Sequence, residues 1–141
     1  MRNAALGTAL LLSALLAQSQ ALAEATIAVA HPADDDGWAL GVSYDADSRA
    51  EADSHALDEC RTRRDANRLD AECLIVSRFD NQCMALAKDT GDEGTAWGWA
   101  VAPAQVDADS GAMANCRSFA GARAGYCEVT MRHCDGGSGA K

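Results

Sequence analysis

The chain contains nearly the same nine residues twice, and a cysteine ends each copy. The two stretches are ADSHALDEC, Ala52–Cys60, and ADSGAMANC, Ala108–Cys116, with five of nine positions identical. In both copies the alanines, the Leu or Met and the cysteine recur at the spacing of one helix face. A tryptophan-bearing segment precedes each copy and further cysteines follow it. Because a solenoid needs at least three stacked repeats, we interpret the chain as a duplicated half-domain.

The N-terminus has the three parts of a secretory signal. A charged start, Met1–Asn3, precedes an apolar run, Ala4–Ala17, and the small-x-small site Ala21–Ala23 follows. The apolar run is shorter than the ~20 residues that cross a bilayer. We therefore expect residues 1–23 to be a cleaved signal peptide, with no membrane insertion afterwards. The remainder is expected to be one domain, residues 24–135, with a flexible tail at residues 136–141.

The cysteine content predicts a disulfide-stapled exported protein. The six cysteines are Cys60, Cys73, Cys83, Cys116, Cys127 and Cys134. An even number in a small exported domain indicates disulfides, and the close C-x-x-C pairs of a metal site are absent from the sequence. Six cysteines allow fifteen pairings. The duplication favours one bridge within each half, Cys60–Cys73 and Cys116–Cys127, which leaves Cys83–Cys134 to link the halves.

The local patterns predict an α+β fold with the order β-α-β-β-β-α-β. Trp38–Tyr44 alternates apolar with small or polar residues, as a half-buried strand does. Ser48 and Glu51 then have the spacing of a capping box at the start of the first helix. The segment from Cys83 is expected to return antiparallel to the strand Cys73–Phe79 across the turn 80–82. The two halves are expected to share one antiparallel sheet, with both helices on one of its faces.

The motifs resemble those of small exported bacterial proteins grouped as domain of unknown function 4189. The matching residues are Gly37-Trp38-Ala39, Ala56–Cys60, Cys73–Val76, Asn81–Ala87 and Trp97-Gly98-Trp99. The resemblance covers residues 37–134 and departs from the family in the long charged link, Arg61–Glu72. It implies export and the general fold. It implies no settled activity, and no catalytic residue can be carried over from it.

Catalytic motifs are not apparent in the sequence. His31, His55 and His133 form no helical zinc pair, and no serine lies in a Gly-x-Ser-x-Gly elbow. With every cysteine assigned to a disulfide, none is left as a nucleophile. The repeated Asp53 and Asp109 are expected to face solvent. We therefore expect no enzyme, no cofactor and no metal, and a structural or exposed role for each histidine.

The charge and the acidic segments point to a protein partner. The net charge is −9, and removal of Arg2 with the signal peptide would leave −10. Such a chain is repelled by nucleic acid and anionic lipid and attracts basic proteins. Two acid-rich segments each precede a tryptophan-bearing strand, and neither has the spacing of a calcium loop. The predicted partner-binding residues are Asp34, Asp35, Asp36, Asp89, Asp92, Glu93 and Trp97.

These expectations define one function and its alternatives. The first is an acidic binding module in the periplasm or secreted, for example an inhibitor or immunity-type protein against a cationic toxin or enzyme that acts on the envelope. The alternatives are a secreted effector that acts on a host or rival cell, and a small enzyme with an unrecognised site. A pocket holding a histidine with a carboxylate would favour an enzyme.

Overall fold

The computed structural model describes residues 24–33, 37–92 and 94–135. The predicted signal peptide and C-terminal tail therefore lie outside the described residues. The elements follow in the order β1 (Glu24–Ala30), β2 (Ala39–Ala46), α1 (Arg49–Ala66), β3 (Leu74–Phe79), β4 (Cys83–Asp89), β5 (Trp97–Ala102), α2 (Gln105–Ala120), a 3₁₀ helix (Gly121–Tyr126) and β6 (Cys127–Cys134).

The strands form two three-stranded antiparallel sheets, so the expectation of one shared sheet is wrong. The first sheet has the order β2-β1-β3 and the second β5-β4-β6. In the first, Val29 pairs with Leu40 on one side and with Leu74 on the other. In the second, Leu86 pairs with Trp99 and with Met131. β3 and β4 thus belong to different sheets, and the turn 80–82 passes from one to the other instead of closing a hairpin.

The reason for this difference is β1, the central strand of the first sheet, which the sequence patterns do not predict. Its residues EATIAVA are almost all buried, because one face packs on α1 and the other on the second sheet. A strand covered on both faces shows no polar alternation. Once β1 is included, each half has the order β-β-α-β. The central strands β1 and β4 then occupy equivalent places.

The four layers are helix, sheet, sheet and helix. Between the sheets lies a core of larger side chains that includes Ile27, Leu40, Phe79, Met84 and Leu86. Each helix packs on the outer face of its own sheet through alanines and cysteines. The helices therefore lie on opposite sides of the molecule, and the expectation of both on one face is wrong. The α+β class, the antiparallel pairing, the duplication and the disulfide stapling are confirmed.

The repeated helical stretch serves this packing. Ala52, Ala56 and Cys60 are buried on α1, and Ala108, Ala112 and Cys116 are buried on α2. Small side chains on that face let the helix lie close to the sheet. At the start of α1, the Ser48 side chain accepts a hydrogen bond from the Glu51 N–H at 3.2 Å, the N-cap that the sequence predicts.

The repeated aspartates connect each helix to the edge strand of its sheet. Asp53 accepts bidentate hydrogen bonds from Arg78 on β3 and a further one from the Thr26 hydroxyl at 2.8 Å. Asp109 accepts from Arg132 Nε on β6 at 2.8 Å. The bonds from Arg78 hold the pKa of Asp53 below its ordinary value. Both aspartates are half-buried, so the expectation that they face solvent is wrong.

The three disulfides join the predicted pairs, Cys60–Cys73, Cys83–Cys134 and Cys116–Cys127. Cys83 and Cys134 are neighbours across β4 and β6 of one sheet, so this bridge does not link the halves as expected. Each disulfide in the described residues therefore lies within one half. Such bonds are compatible with an oxidising compartment. Neither of the described helices has the length and apolar character needed to span a membrane.

Candidate functional site

Two hairpin loops come together at one end of the molecule. The β1–β2 loop, residues 31–38, and the β4–β5 loop, residues 90–96, belong to equivalent hairpins of the two halves. The indole rings of Trp38 and Trp97, which follow these loops, stack at 4.7 Å between centroids with 23° between planes. The His31 ring lies 6.4 Å from the Trp97 ring. We call this region, residues 31–38 and 90–97, the hairpin end.

By sequence number, six of the seven predicted partner-binding residues fall in the hairpin end, and Asp89 directly precedes its second segment. Asp34, Asp35, Asp36 and Glu93 lie outside the described residues. Asp92 is exposed and Trp97 is half-buried. Each acidic segment is next in sequence to residues that meet in the Trp38–Trp97 stack. The structure thus brings the flanks of the two segments together.

Asp89 is not exposed at the hairpin end. Its side chain is 1% exposed and forms an ion pair with Arg123, with 2.8 Å between Oδ2 and Nε. The Gly91 N–H also donates to Asp89 Oδ1 at 2.9 Å. The hydrogen bond from Arg123, aided by the Gly91 N–H, holds the pKa of Asp89 below its ordinary value. Asp89 therefore fixes the base of the β4–β5 loop and is not available to a partner.

A shallow cleft of ≈ 560 Å³ opens beside the tryptophan stack. It lies between the C-terminal part of α1 and the two loops, with Trp38, Arg63 and Lys88 among its lining residues. Lys88 Nζ lies 5.3 Å from the centroid of the Trp38 ring, a cation–π arrangement. Arg63 donates hydrogen bonds to the Leu40 carbonyl at 3.0 Å and to the Glu59 carboxylate at 2.6 Å. The cleft therefore offers an aromatic wall beside a cationic amine.

A second polar cluster lies at the opposite end of β2, where the two halves meet again. The carboxylates of Asp45 and Asp135 and the imidazole of His133 place their ligand atoms within 4.8 Å of one another. His133 Nε2 and Asp45 Oδ2 are 3.6 Å apart. Asp135 is completely buried, whereas the side chains of His133 and Asp45 are 23% and 61% exposed. One nitrogen and several oxygens thus converge, the donor set of a metal ligand cluster.

Several contacts fix the positions of these three residues. The Asp45 N–H donates to Asp135 Oδ1 at 3.0 Å, with Asp45 in the left-handed region at φ 54°. The Tyr44 ring stacks on the His133 ring at 3.7 Å. His133 precedes the disulfide-bonded Cys134, and the Asp135 N–H donates to the Gln82 carbonyl at 2.8 Å. The cluster is therefore held by backbone, ring and disulfide contacts from both halves.

The sequence patterns do not identify this cluster. Asp45 precedes His133 and Asp135 by about ninety positions, so no local spacing relates them. The predicted strand Trp38–Tyr44 stops short of Asp45, whereas β2 continues to Ala46. The other two histidines, His31 and His55, are exposed. These residues are related only by their places at the ends of β2 and β6, and those ends come together only in the two-sheet topology.

Comparison with known proteins gives one family and no relative of known function. The family model described as Domain of unknown function (DUF4189) matches residues 19–134. No curated protein and no solved structure matches the chain.

Proposed function

Since this chain belongs to the DUF4189 family, whose description assigns no activity, we propose its function from its own geometry: it is an exported binding module whose hairpin end binds a basic protein. The proposed compartment is the periplasm or the exterior of the cell. The compact disulfide-stapled scaffold would present a fixed surface, which lowers the ordering cost of binding.

The observation that carries this proposal is the Trp38–Trp97 stack. It joins equivalent loops of the two halves, so the acidic segments at both loops can act on one partner. Acidic groups attract a basic protein over about a Debye length, ~10 Å at 0.1 M salt. The tryptophans provide the aromatic anchor that interface hot spots favour. Trp38 also lines the cleft, where an apolar or anionic side chain of the partner would meet Trp38 and Lys88.

The class of partner that fits best is a cationic protein that acts on the cell envelope, which this module would inhibit or neutralise. Burial of the partner's basic surface by acidic loops would block its access to an anionic substrate. The mature net charge of −10 that follows from cleavage after Ala23 would speed the encounter.

The test begins with capture of partners by the untagged mature protein from its own envelope fraction, and continues with affinity measurements on the captured protein. The loop variant replaces five acidic residues with their amides: Asp34, Asp35, Asp36, Asp92 and Glu93. Asp89 is left unchanged because its burial makes it structural. A matched control removes five exposed charges elsewhere: Asp70, Glu72, Asp80, Asp107 and Glu128.

We expect the loop variant to bind the captured protein at least ~10-fold more weakly than the control variant, with a reduced salt dependence. Equal losses in both variants would show that only the net charge matters, which contradicts a specific surface. Captured partners that are acidic, or an unchanged affinity of the loop variant, would also contradict the proposal.

A further inference from the structure

The cluster at the far end of β2 has the donors and the support of a metal site. Its three side chains provide one imidazole nitrogen and two carboxylates within 4.8 Å. His133 Nε2 is buried from solvent and makes no hydrogen bond with any of the residues that the structure describes. Asp45 Oδ2 lies 3.6 Å from this nitrogen. A buried imidazole nitrogen that lies near two carboxylates and makes no hydrogen bond is an available metal ligand.

The separations between the ligand atoms would suit a small ion if the Asp45 side chain moved slightly closer to the other two ligands. Zinc binds nitrogen and oxygen at ~2.0–2.2 Å, so neighbouring ligands on one ion lie about 3.3 Å apart. The His133–Asp45 separation of 3.6 Å is already near that value. The Asp45 side chain is 61% exposed, so little packing restrains it, while the backbone of the buried Asp135 is fixed by its hydrogen bond to the Gln82 carbonyl. Two carboxylates this close also favour a cation between them.

The donor types select the class of metal. Calcium and magnesium prefer oxygen ligands alone, whereas imidazole together with carboxylate suits zinc and the neighbouring first-row divalent ions. The Tyr44 stack and the Asp45 N–H bond to Asp135 orient the ligands, as the outer contacts of known metal sites do.

We propose that Asp45, His133 and Asp135 form a binding site for a first-row divalent metal ion, with zinc as the preferred ion. Asp45 belongs to the first half of the duplicated domain, and His133 and Asp135 belong to the second. The ion would therefore join the two halves, which no disulfide in the described residues does. Three protein ligands leave a coordination position for water or for a group from another molecule.

This site is independent of the proposed partner surface, because the ligands lie at the other end of β2 from Trp38. Asp135 also lies one residue beyond the span that matches the family model, residues 19–134. The family match therefore does not include all three ligands, and the proposed metal site rests on the geometry of this chain.

The experiment titrates zinc into untagged mature protein that has been stripped with a chelator, using isothermal calorimetry, with manganese and calcium as comparison ions. The test variants are His133→Gln and Asp45→Asn. The matched controls are His55→Gln, an exposed histidine on α1, and Asp47→Asn, an exposed aspartate two residues from Asp45. Thermal unfolding without metal establishes that each variant is folded before its affinity is compared.

We expect one zinc per chain, weakened at least ~100-fold by either test substitution and unchanged by either control, with calcium bound more weakly than zinc. Zinc should also raise the unfolding temperature of the wild type and not that of His133→Gln. If a test variant fails to fold, the other variant and the cobalt absorption spectrum of the wild type decide the outcome, since nitrogen coordination alters that spectrum. Absence of saturable zinc binding, or binding that survives both test substitutions, would show that His133 and Asp45 are not metal ligands and would overturn the proposal.

Discussion

Replacement of Gly41 by alanine tests the close contact between α1 and the first sheet. A Cβ atom at Gly41 would lie 1.9 Å from the Ala56 carbonyl oxygen and 2.5 Å from the Cys60 nitrogen. Both are backbone atoms of α1, so no side-chain rotation relieves the clash. Ordinary contact requires about 3.5 Å, so the helix would have to retreat by about 1.5 Å. Gly98 is in the equivalent position, where a Cβ would lie 2.3 Å from the Cys116 nitrogen.

The expected cost of Gly41→Ala is at the upper end of overpacking substitutions, about 3 kcal/mol. For a domain of this size that corresponds to a fall of about 10–20 °C in unfolding temperature. The fall would be measured by circular dichroism under non-reducing conditions, so that Cys60–Cys73 stays intact. Gly125→Ala is the matched control, because a Cβ there meets nothing within 4 Å. If Gly41→Ala unfolds within about 2 °C of the control, the close helix–sheet approach is not the reason for the glycine.

Three further outcomes follow from particular contacts. Asp89→Asn should destabilise the protein at neutral pH, because it removes the negative charge that pairs with Arg123. The pKa of Asp89 is lowered in the folded state, so the stabilisation is present above the unfolded pKa of ~3.9 and is lost as pH falls through the folded pKa. Chemical denaturation across this pH range should therefore show the unfolding free energies of the wild type and the variant converging as the pH falls. The double substitution Cys60→Ala with Cys73→Ala opens a bridge across 13 residues and should cost ~3 kcal/mol in a denaturant titration, and a loss near zero would contradict that estimate. The Trp38 and Trp97 rings, stacked at 4.7 Å, should give an exciton couplet in circular dichroism that Trp97→Leu abolishes, and a wild-type spectrum without that couplet would show that the rings do not stack in solution.

The duplication and the disulfide pairs were predictable because their signals are local or repeated. The nine-residue repeat identifies equivalent helices, and equivalent cysteines follow it. That symmetry suffices to select Cys60–Cys73 and Cys116–Cys127 from the possible pairs, and the structure has those bonds. The N-cap at Ser48 was predictable for the same reason, because capping depends on side chains three residues apart.

The sheet topology was not predictable from periodicity. β1 and β4 are the central strands of their sheets, and both are buried on two faces, so an apolar/polar alternation is missing where it would be most informative. Without β1, β3 lacks its true partner, and β4 is the nearest remaining candidate. Because β1 is missed, the sequence predicts one sheet where the structure has two.

The candidate sites differ in the same way. Trp97 and the acidic loops are visible in the sequence, but the burial of Asp89 depends on Arg123, which lies 34 positions away in the 3₁₀ segment. The cluster of Asp45, His133 and Asp135 depends on the meeting of β2 with β6 across the two halves. Such contacts arise from tertiary packing, and no local pattern encodes them.

Hydrogen exchange on the complex with the captured partner tests the central claim, that the hairpin end is the binding surface. Mass spectrometry would compare peptide protection in free and bound protein. We predict that new protection is concentrated in residues 31–38 and 90–97, with little change over the exposed face of α1 or over β6. Protection centred on α1, α2 or β6, with the two hairpin loops unchanged, would contradict the account.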